Sequence, residues 1–164
     1  MDVTTTIELR KEDMKFSAAH FTIFSATERE RLHGHDYRVG ASITALVDDN
    51  GLSFPYQIFK QYLRTLCDEL DEYTLIAARS PHLKIEDHGA FHDVHFAGQV
   101  IPLLKSDTLL LPIRNVTVEE LSRYLLGKLV AMNALATGAR IRSLTLSVYS
   151  GPGQSGSATW SAAA

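Results

Sequence analysis

The sequence predicts an α+β protein, an antiparallel β-sheet accompanied by two amphipathic helices. Three observations lead there. From residue 37 to 47, Tyr37, Val39, Ala41, Ile43, Ala45 and Val47 alternate with Arg38, Gly40, Ser42 and Thr44, the period of a half-buried strand. Two other segments carry apolar residues at helical spacing: Ile58, Phe59, Tyr62, Leu63, Leu66 and Leu70, then Leu121, Tyr124, Leu125, Leu129 and Met132. A second alternation sets Leu144, Leu146 and Val148 against Thr145 and Ser147.

In chain order, residues 5–9 and 16–24 read as strands separated by the charged Arg10 to Asp13. Residues 25–31 have no hydrophobic period and read as a loop. The strand that follows ends at Asp48-Asp49-Asn50-Gly51, a turn sequence. Pro55 is expected to open the first helix, which should end near Asp71. Residues 83–86 and 94–96 predict a hairpin across residues 88–93. At Asn115-Val116-Thr117-Val118-Glu119, a threonine cap with carboxylates nearby predicts the second helix start, with Gly138 in the loop beyond the helix. Gly151-Pro152-Gly153 should break the last strand and leave a loose Ser/Ala/Gly-rich tail from about residue 154.

The 164 residues suit one domain, with a core over about 5–150 and the inserted hairpin near 82–98. A net charge of −3 and a pI near 6.1 argue against a nucleic-acid partner, which needs a basic face, though a local basic cluster could still hold a small phosphorylated ligand. No secretory signal or membrane-length apolar run is present, so a cytoplasmic location with no membrane partner is expected. The lone cysteine, Cys67, lies among Leu63, Leu66 and Leu70 and reads as a small core residue.

The chemistry is concentrated in three histidines. His33 and His35 are two apart in a strand and point the same way, and His20 can arrive from a neighbouring strand. Three imidazoles with one open position are the ligand set of a catalytic zinc, whereas a closed structural site would need thiolates. The same spacing also fits histidines hydrogen-bonded on a sheet surface. The insertion holds His82, His88, His92 and His95, where Gly89 and strand-like neighbours favour a polar hairpin over a second metal site.

Phe16-Ser17-Ala18-Ala19-His20, Leu32-His33-Gly34-His35-Asp36-Tyr37, Leu70-Asp71 and Asn115-Val116-Thr117-Val118-Glu119 together resemble, in order and spacing, the 6-pyruvoyl-tetrahydropterin synthase and 6-carboxy-tetrahydropterin synthase family. The resemblance implies the tunnelling fold, an antiparallel β-sheet with two helices packed on one face, in which subunits join their sheets into a barrel as a homo-oligomer, a trimer or a hexamer of two trimers. It implies zinc on His20, His33 and His35, and a reduced pterin substrate such as dihydroneopterin triphosphate, worked on by a carbon–oxygen lyase. Thr117 and Glu119 match positions that hold the pterin edge, a task for which a carboxylate can accept two parallel hydrogen bonds.

The chain also departs from that family. Arg29 stands where the synthases carry a cysteine four residues before the His-Gly-His motif, and Glu72 replaces the histidine that follows Leu-Asp. Pro55-Tyr56 replaces an Asp-Phe, and Val148, Tyr149 and Ser150 occupy the region of a further pterin-binding glutamate. Glu30, Asp71 and Glu72 are therefore the candidate acid–base residues. Relatives with glutamate in place of the cysteine cleave the side chain to a hydroxymethyl pterin, which gives a rival expectation. Two further alternatives are a pterin- or purine-binding module that keeps its zinc for ligand capture, and zinc-water hydrolysis of another heterocycle. Arg29 and Arg31 would either clamp a triphosphate or pair with Glu28 and Glu30 on the loop.

Overall fold

A computed structural model describes residues 3–132 and 141–162 of the chain. Its strands are β1 (Thr4–Leu9), β2 (Lys15–His20), β3 (His33–Leu46), β4 (Tyr73–Ala77), β5 (Lys84–His88), β6 (Phe91–Phe96), β7 (Gln99–Leu104), β8 (Thr108–Leu111), β9 (Ile141–Gly151) and β10 (Gln154–Ser161). Two α-helices accompany them, α1 (Gln57–Asp68) and α2 (Val118–Ala131). The expected loop position of Gly138 lies outside the described residues.

The long strand β3 organises the main sheet. One end pairs antiparallel with β2, the other with β1, and β9 runs along its opposite edge. The sheet order is β10-β9-β3-β2-β4-β8. The pairings among the first four of these strands are antiparallel, as the alternation predicts, but β2·β4 and β4·β8 are parallel. The short runs Tyr73–Ala77 and Thr108–Leu111 do not alternate, and sequence reading did not detect them.

One face of this sheet is the core. Phe16 and Ala18 of β2, Tyr37, Val39, Ala41 and Ile43 of β3, and Leu144, Leu146 and Val148 of β9 point toward it. Phe59, Leu63 and Leu66 of α1 and Leu121, Leu125 and Leu129 of α2 cover it, all fully buried. Each such side chain contributes about 1.5–3 kcal/mol through removal from water. The helices therefore share one face, as the family resemblance implies.

The strand expected over residues 16–24 ends at His20 as β2, and three further boundaries differ from expectation for local reasons. Helix α1 starts at Gln57, two residues after Pro55, because Tyr56 caps it and its carbonyl accepts the Lys60 N–H (3.2 Å). It ends at Asp68, since the Leu70 N–H reaches back only three residues to Cys67 (3.0 Å) and Glu72 then takes a left-handed φ of 64° into β4. The segment from Gln154, expected to be loose, is strand β10, paired antiparallel with β9 through to Ser161. Its Gly156, Ala158 and Trp160 alternate toward α2, with small residues where the helix comes closest.

The insertion is a three-stranded antiparallel sheet, β5-β6-β7. The expected hairpin is present, turning at Gly89-Ala90, and β7 extends it. A second apolar cluster fixes it: Val94 and Phe96 pack with Ile76 of β4 and with Phe21 and Ile23 just beyond β2. Three of its four histidines pair with acids, His88 with Asp93 (3.3 Å), His92 with Asp87 (2.8 Å) and His95 with Glu86 (2.9 Å).

Candidate metal centre and ligand cleft

The core-facing row of β3 does not stop at the apolar residues. Beyond Tyr37 it continues with His35 and His33, and the register sets His20 of β2 directly opposite His33. One ring nitrogen from each histidine lies within 4.8 Å of the others, the one cluster among the described residues able to share an ion.

Hydrogen bonds orient the rings. His20 Nδ1 lies 2.9 Å from the Val116 carbonyl, and His33 Nδ1 lies 2.7 Å from the Arg31 carbonyl. A carbonyl only accepts, so each Nδ1 carries the proton and each Nε2 keeps its lone pair. Such a backbone partner is the usual support behind a metal-ligating histidine. His20 Nε2 is buried with no hydrogen-bond partner, and His33 Nε2 lies 3.0 Å from His35 Nε2. Tetrahedral ligands at metal–nitrogen bonds of about 2.0–2.1 Å stand about 3.4 Å apart, so the donor set fits a metal ion. Burial lowers the His20 pKa; the Val116 bond opposes this and the neighbouring histidines add to it, which favours the neutral ligand form.

Asn115 holds the outer partner in place. Its Oδ1 accepts from the Ile23 N–H (3.1 Å) and the Val116 N–H (3.1 Å), while its Nδ2 donates to the Ile23 carbonyl (2.8 Å). The chain leaving His20 and the chain entering α2 are thereby tied together. Sequence reading assigned Asn115 only to the helix-start motif. Thr117 caps α2, its hydroxyl accepting the Glu120 N–H (3.4 Å).

Beside the trio is a cleft of about 270 Å³, lined by His20, Thr22, Glu30, His35, Tyr37, Thr117, Val118, Glu119, Ser150 and Gln154. Thr117 and Glu119 thus share a cavity with the histidines. Tyr37 walls the trio, its ring centroid 5.9 Å from that of His20 and 5.6 Å from that of His35. Gln154 donates to the Ser150 hydroxyl (2.9 Å), so a neutral pair occupies the rim near the last strands. Ser150 lies in the region where the family resemblance places a further glutamate, whereas Gln154 was not expected because it fell in the segment read as a tail.

Among the candidate acid–base residues, Glu30 is at the trio. Its Oε2 accepts the Thr22 N–H (3.0 Å) and lies 3.9 Å from His33 Nε2. Burial raises its pKa, but the Thr22 hydrogen bonds and the fields of His33 and His20 outweigh this and leave it below the usual carboxylate value. Residues 25–31, expected as a loop, form a tight return: the Glu30 N–H bonds the Thr22 carbonyl (2.8 Å) and Ile23 bridges Arg29. Within the chain, Asp71 and Glu72 are brought elsewhere. Asp71 accepts the Ser17 N–H (2.7 Å), and Glu72 lines a depression with Ser17, Ala19, Gly34 and Asp36, residues that alternate to the sheet face away from the helices.

Cys67 is fully buried in the core, and burial pushes its thiol up to about 12, as expected for a packing residue. No helix among the described residues is long and apolar enough to cross a membrane.

Comparison with known proteins agrees with this architecture. The sequence model of the 6-pyruvoyl tetrahydropterin synthase family matches residues 8–159. A Methanocaldococcus jannaschii protein provisionally named 6-carboxy-5,6,7,8-tetrahydropterin synthase is 25% identical over 144 residues, 86% of each chain. The crystal structure of 6-pyruvoyl tetrahydropterin synthase from Plasmodium vivax superposes with a TM-score of 0.91 at 23% identity, covering 98% of this chain and 100% of the other. The Plasmodium falciparum enzyme gives 0.91 at 24% identity over 97% and 99%. Two further P. vivax structures are catalytic-residue mutants with a glutamate replaced by cysteine or by alanine. These likenesses establish the tunnelling fold.

Proposed function

Because the chain belongs to the 6-pyruvoyl tetrahydropterin synthase family, we propose that it is a zinc-dependent lyase acting on the three-carbon side chain of a reduced pterin, dihydroneopterin triphosphate or a related compound, with Glu30 as the base. The observation that carries this reading is the position of the Glu30 carboxylate, 3.9 Å from His33 Nε2 in the cleft that also holds Thr117 and Glu119. Zinc on His20, His33 and His35 would polarise the side-chain oxygens and make a hydroxyl there more acidic. Glu119 accepts hydrogen bonds from the pterin edge at the cleft rim, and the Thr117 segment fixes the ring. The glutamate named as catalytic in the P. vivax structures supports a carboxylate in the acid–base role.

The position of Glu30 favours cleavage of the side chain over the pyruvoyl or carboxy outcome. Within the chain, Glu30 is the one candidate acid–base residue beside the trio, and cleavage needs a single group that takes a proton from a hydroxyl and returns it to carbon. Glu30 removes the proton of the second side-chain hydroxyl, and the bond between the first and second side-chain carbons breaks. A two-carbon aldehyde departs, the electron pair passes into the ring imine, and the proton returns from Glu30 to the first carbon. The product is a hydroxymethyl dihydropterin. Neither Cys67 nor a second acid–base group at the trio is needed. We further propose that the protein works in the cytoplasm as an oligomer whose subunits complete the barrel.

The test is incubation of zinc-loaded protein with dihydroneopterin triphosphate, followed by identification of the pterin and the released fragment. A hydroxymethyl pterin with a glycolaldehyde fragment supports this reaction. A pyruvoyl pterin with free triphosphate, or a carboxy pterin with acetaldehyde, assigns the site to the synthase reactions instead. Tight binding without turnover would make the protein a pterin-binding module.

A further inference from the structure

Arg29 occupies a position next to Glu30, yet its guanidinium points away from the histidines. We infer that Arg29 is a positioning residue, holding Glu30 in place by anchoring the return loop to the inserted sheet; the inference rests on Glu30 being the base. The Arg29 guanidinium carbon lies 4.9 Å from the ring centroid of Phe21 and 5.7 Å from that of Phe96. Its Nη1 donates to the Glu30 carbonyl (2.8 Å). Phe21 and Phe96 are themselves buried, members of the apolar cluster that joins the insertion to the main sheet.

Glu30 is consequently fixed at three points. Arg29 holds its carbonyl, the Thr22 carbonyl holds its N–H (2.8 Å), and the Thr22 N–H holds its carboxylate (3.0 Å). Only the first comes from a side chain other than its own, and that side chain sits between Phe21, just beyond β2, and Phe96 of the inserted sheet. A planar guanidinium suits the task because it can lie against aromatic faces while its edge still donates, which an ammonium does not reproduce. This use of Arg29 also argues against its serving as a free triphosphate clamp. It gives the β5-β6-β7 insertion a function: the insertion is the wall against which the loop carrying Glu30 is set. Phe96 does not line the cleft beside the histidines, so its replacement leaves the lining of that cleft unchanged.

The experiment compares Arg29→Ala, Phe96→Leu, Glu30→Gln and the Arg29→Ala/Glu30→Gln pair. Arg29→Ala and Phe96→Leu should each lower kcat about tenfold or more with KM nearly unchanged, as expected for a misplaced reacting group. Metal content should stay at the wild-type level. In the Glu30→Gln background, Arg29→Ala should lower kcat no further, because its effect passes through the carboxylate. Independently of turnover, amide exchange at Thr22 should become about tenfold faster in Arg29→Ala, while Val39 in the core stays protected. Unchanged Thr22 exchange, or a full additional loss of kcat in the double variant, overturns the inference. If Glu30→Gln retains wild-type turnover while Thr22 exchange still rises in Arg29→Ala, the base assignment fails and the Arg29 brace stands.

Discussion

Gly156 of β10 lies against Val118 at the start of α2: a Cβ built on Gly156 would come within 2.6 Å of the Val118 carbonyl carbon and 2.8 Å of the Glu119 nitrogen. The contact is backbone to backbone, so no side-chain rotation relieves it. Gly156→Ala must push apart the strand carrying Gln154 and the helix start carrying Thr117 and Glu119. A loss of about 1–3 kcal/mol is expected, with weaker pterin binding. Gly127, in the same helix, is the control. A Cβ there meets nothing within 4 Å, so Gly127→Ala should stabilise the protein by about 0.5–1 kcal/mol. Denaturant melts of the two variants should move in opposite directions.

The ligand assignment makes a separate prediction about metal content. His33→Ala removes a ligand whose ring is already aimed by the Arg31 carbonyl. Zinc affinity should fall by at least about 100-fold, more than loss of an outer hydrogen-bond partner usually costs. Asn115→Ala, which loosens the Val116 carbonyl behind His20, should cost about tenfold. Competition with a chromophoric chelator measures both, and full zinc occupancy of His33→Ala would remove His33 from the ligand set.

Acid should act on the brace at the start of α2. Glu120 accepts from the Arg114 backbone N–H (3.0 Å) and from its Nη2 (2.6 Å), and the Arg114 side chain holds its carboxyl below the usual carboxylate range. A carboxylate with a lowered folded pKa stabilises the fold above its unfolded pKa, and that stability disappears as pH falls through the folded value. The Arg114 side chain is 66% exposed, so solvent screens the effect and keeps it small. Glu120→Gln should therefore be less stable than the parent at pH 7, with the gap closing below about pH 4. Equal stabilities at both pH values would show that the pair contributes nothing.

Cys67 should be chemically silent. With its thiol pushed up to about 12 and no exposed surface, a disulfide reagent should label it only at the rate of unfolding. Cys67→Ala should keep wild-type turnover and cost about 1 kcal/mol of stability through lost packing. Rapid labelling of native protein, or loss of turnover in a folded Cys67→Ala variant, would reopen a role for sulfur.

Much of this arrangement was legible from sequence because its parts follow strict periods. The alternation through Tyr37, Val39, Ala41 and Ile43 fixes which face of β3 is buried, and the same count places His33 and His35 on that face. Thr117 as a helix cap was equally readable. Parallel strands β4 and β8 were not, since short apolar runs carry no period that distinguishes them from other buried segments. Strand β10 was hidden by its composition: close approach to α2 demands Gly156 and Ala158, and small residues read as a tail. The separation of Glu30 from Glu72 within the chain depends on which sheet face each reaches, which is settled by pairing rather than by proximity to a motif.

The shared row along β3 protects the site against folding errors. Slipping β3 by one residue against β2 would turn Tyr37, Val39, Ala41 and Ile43 out of the core at the same stroke as His33 and His35. The polar histidines, which alone would choose a register only weakly, therefore inherit the precision of the apolar residues behind them. A chain that buries its core correctly has already aimed its imidazoles, and an incorrectly aimed set belongs to a chain that has not folded.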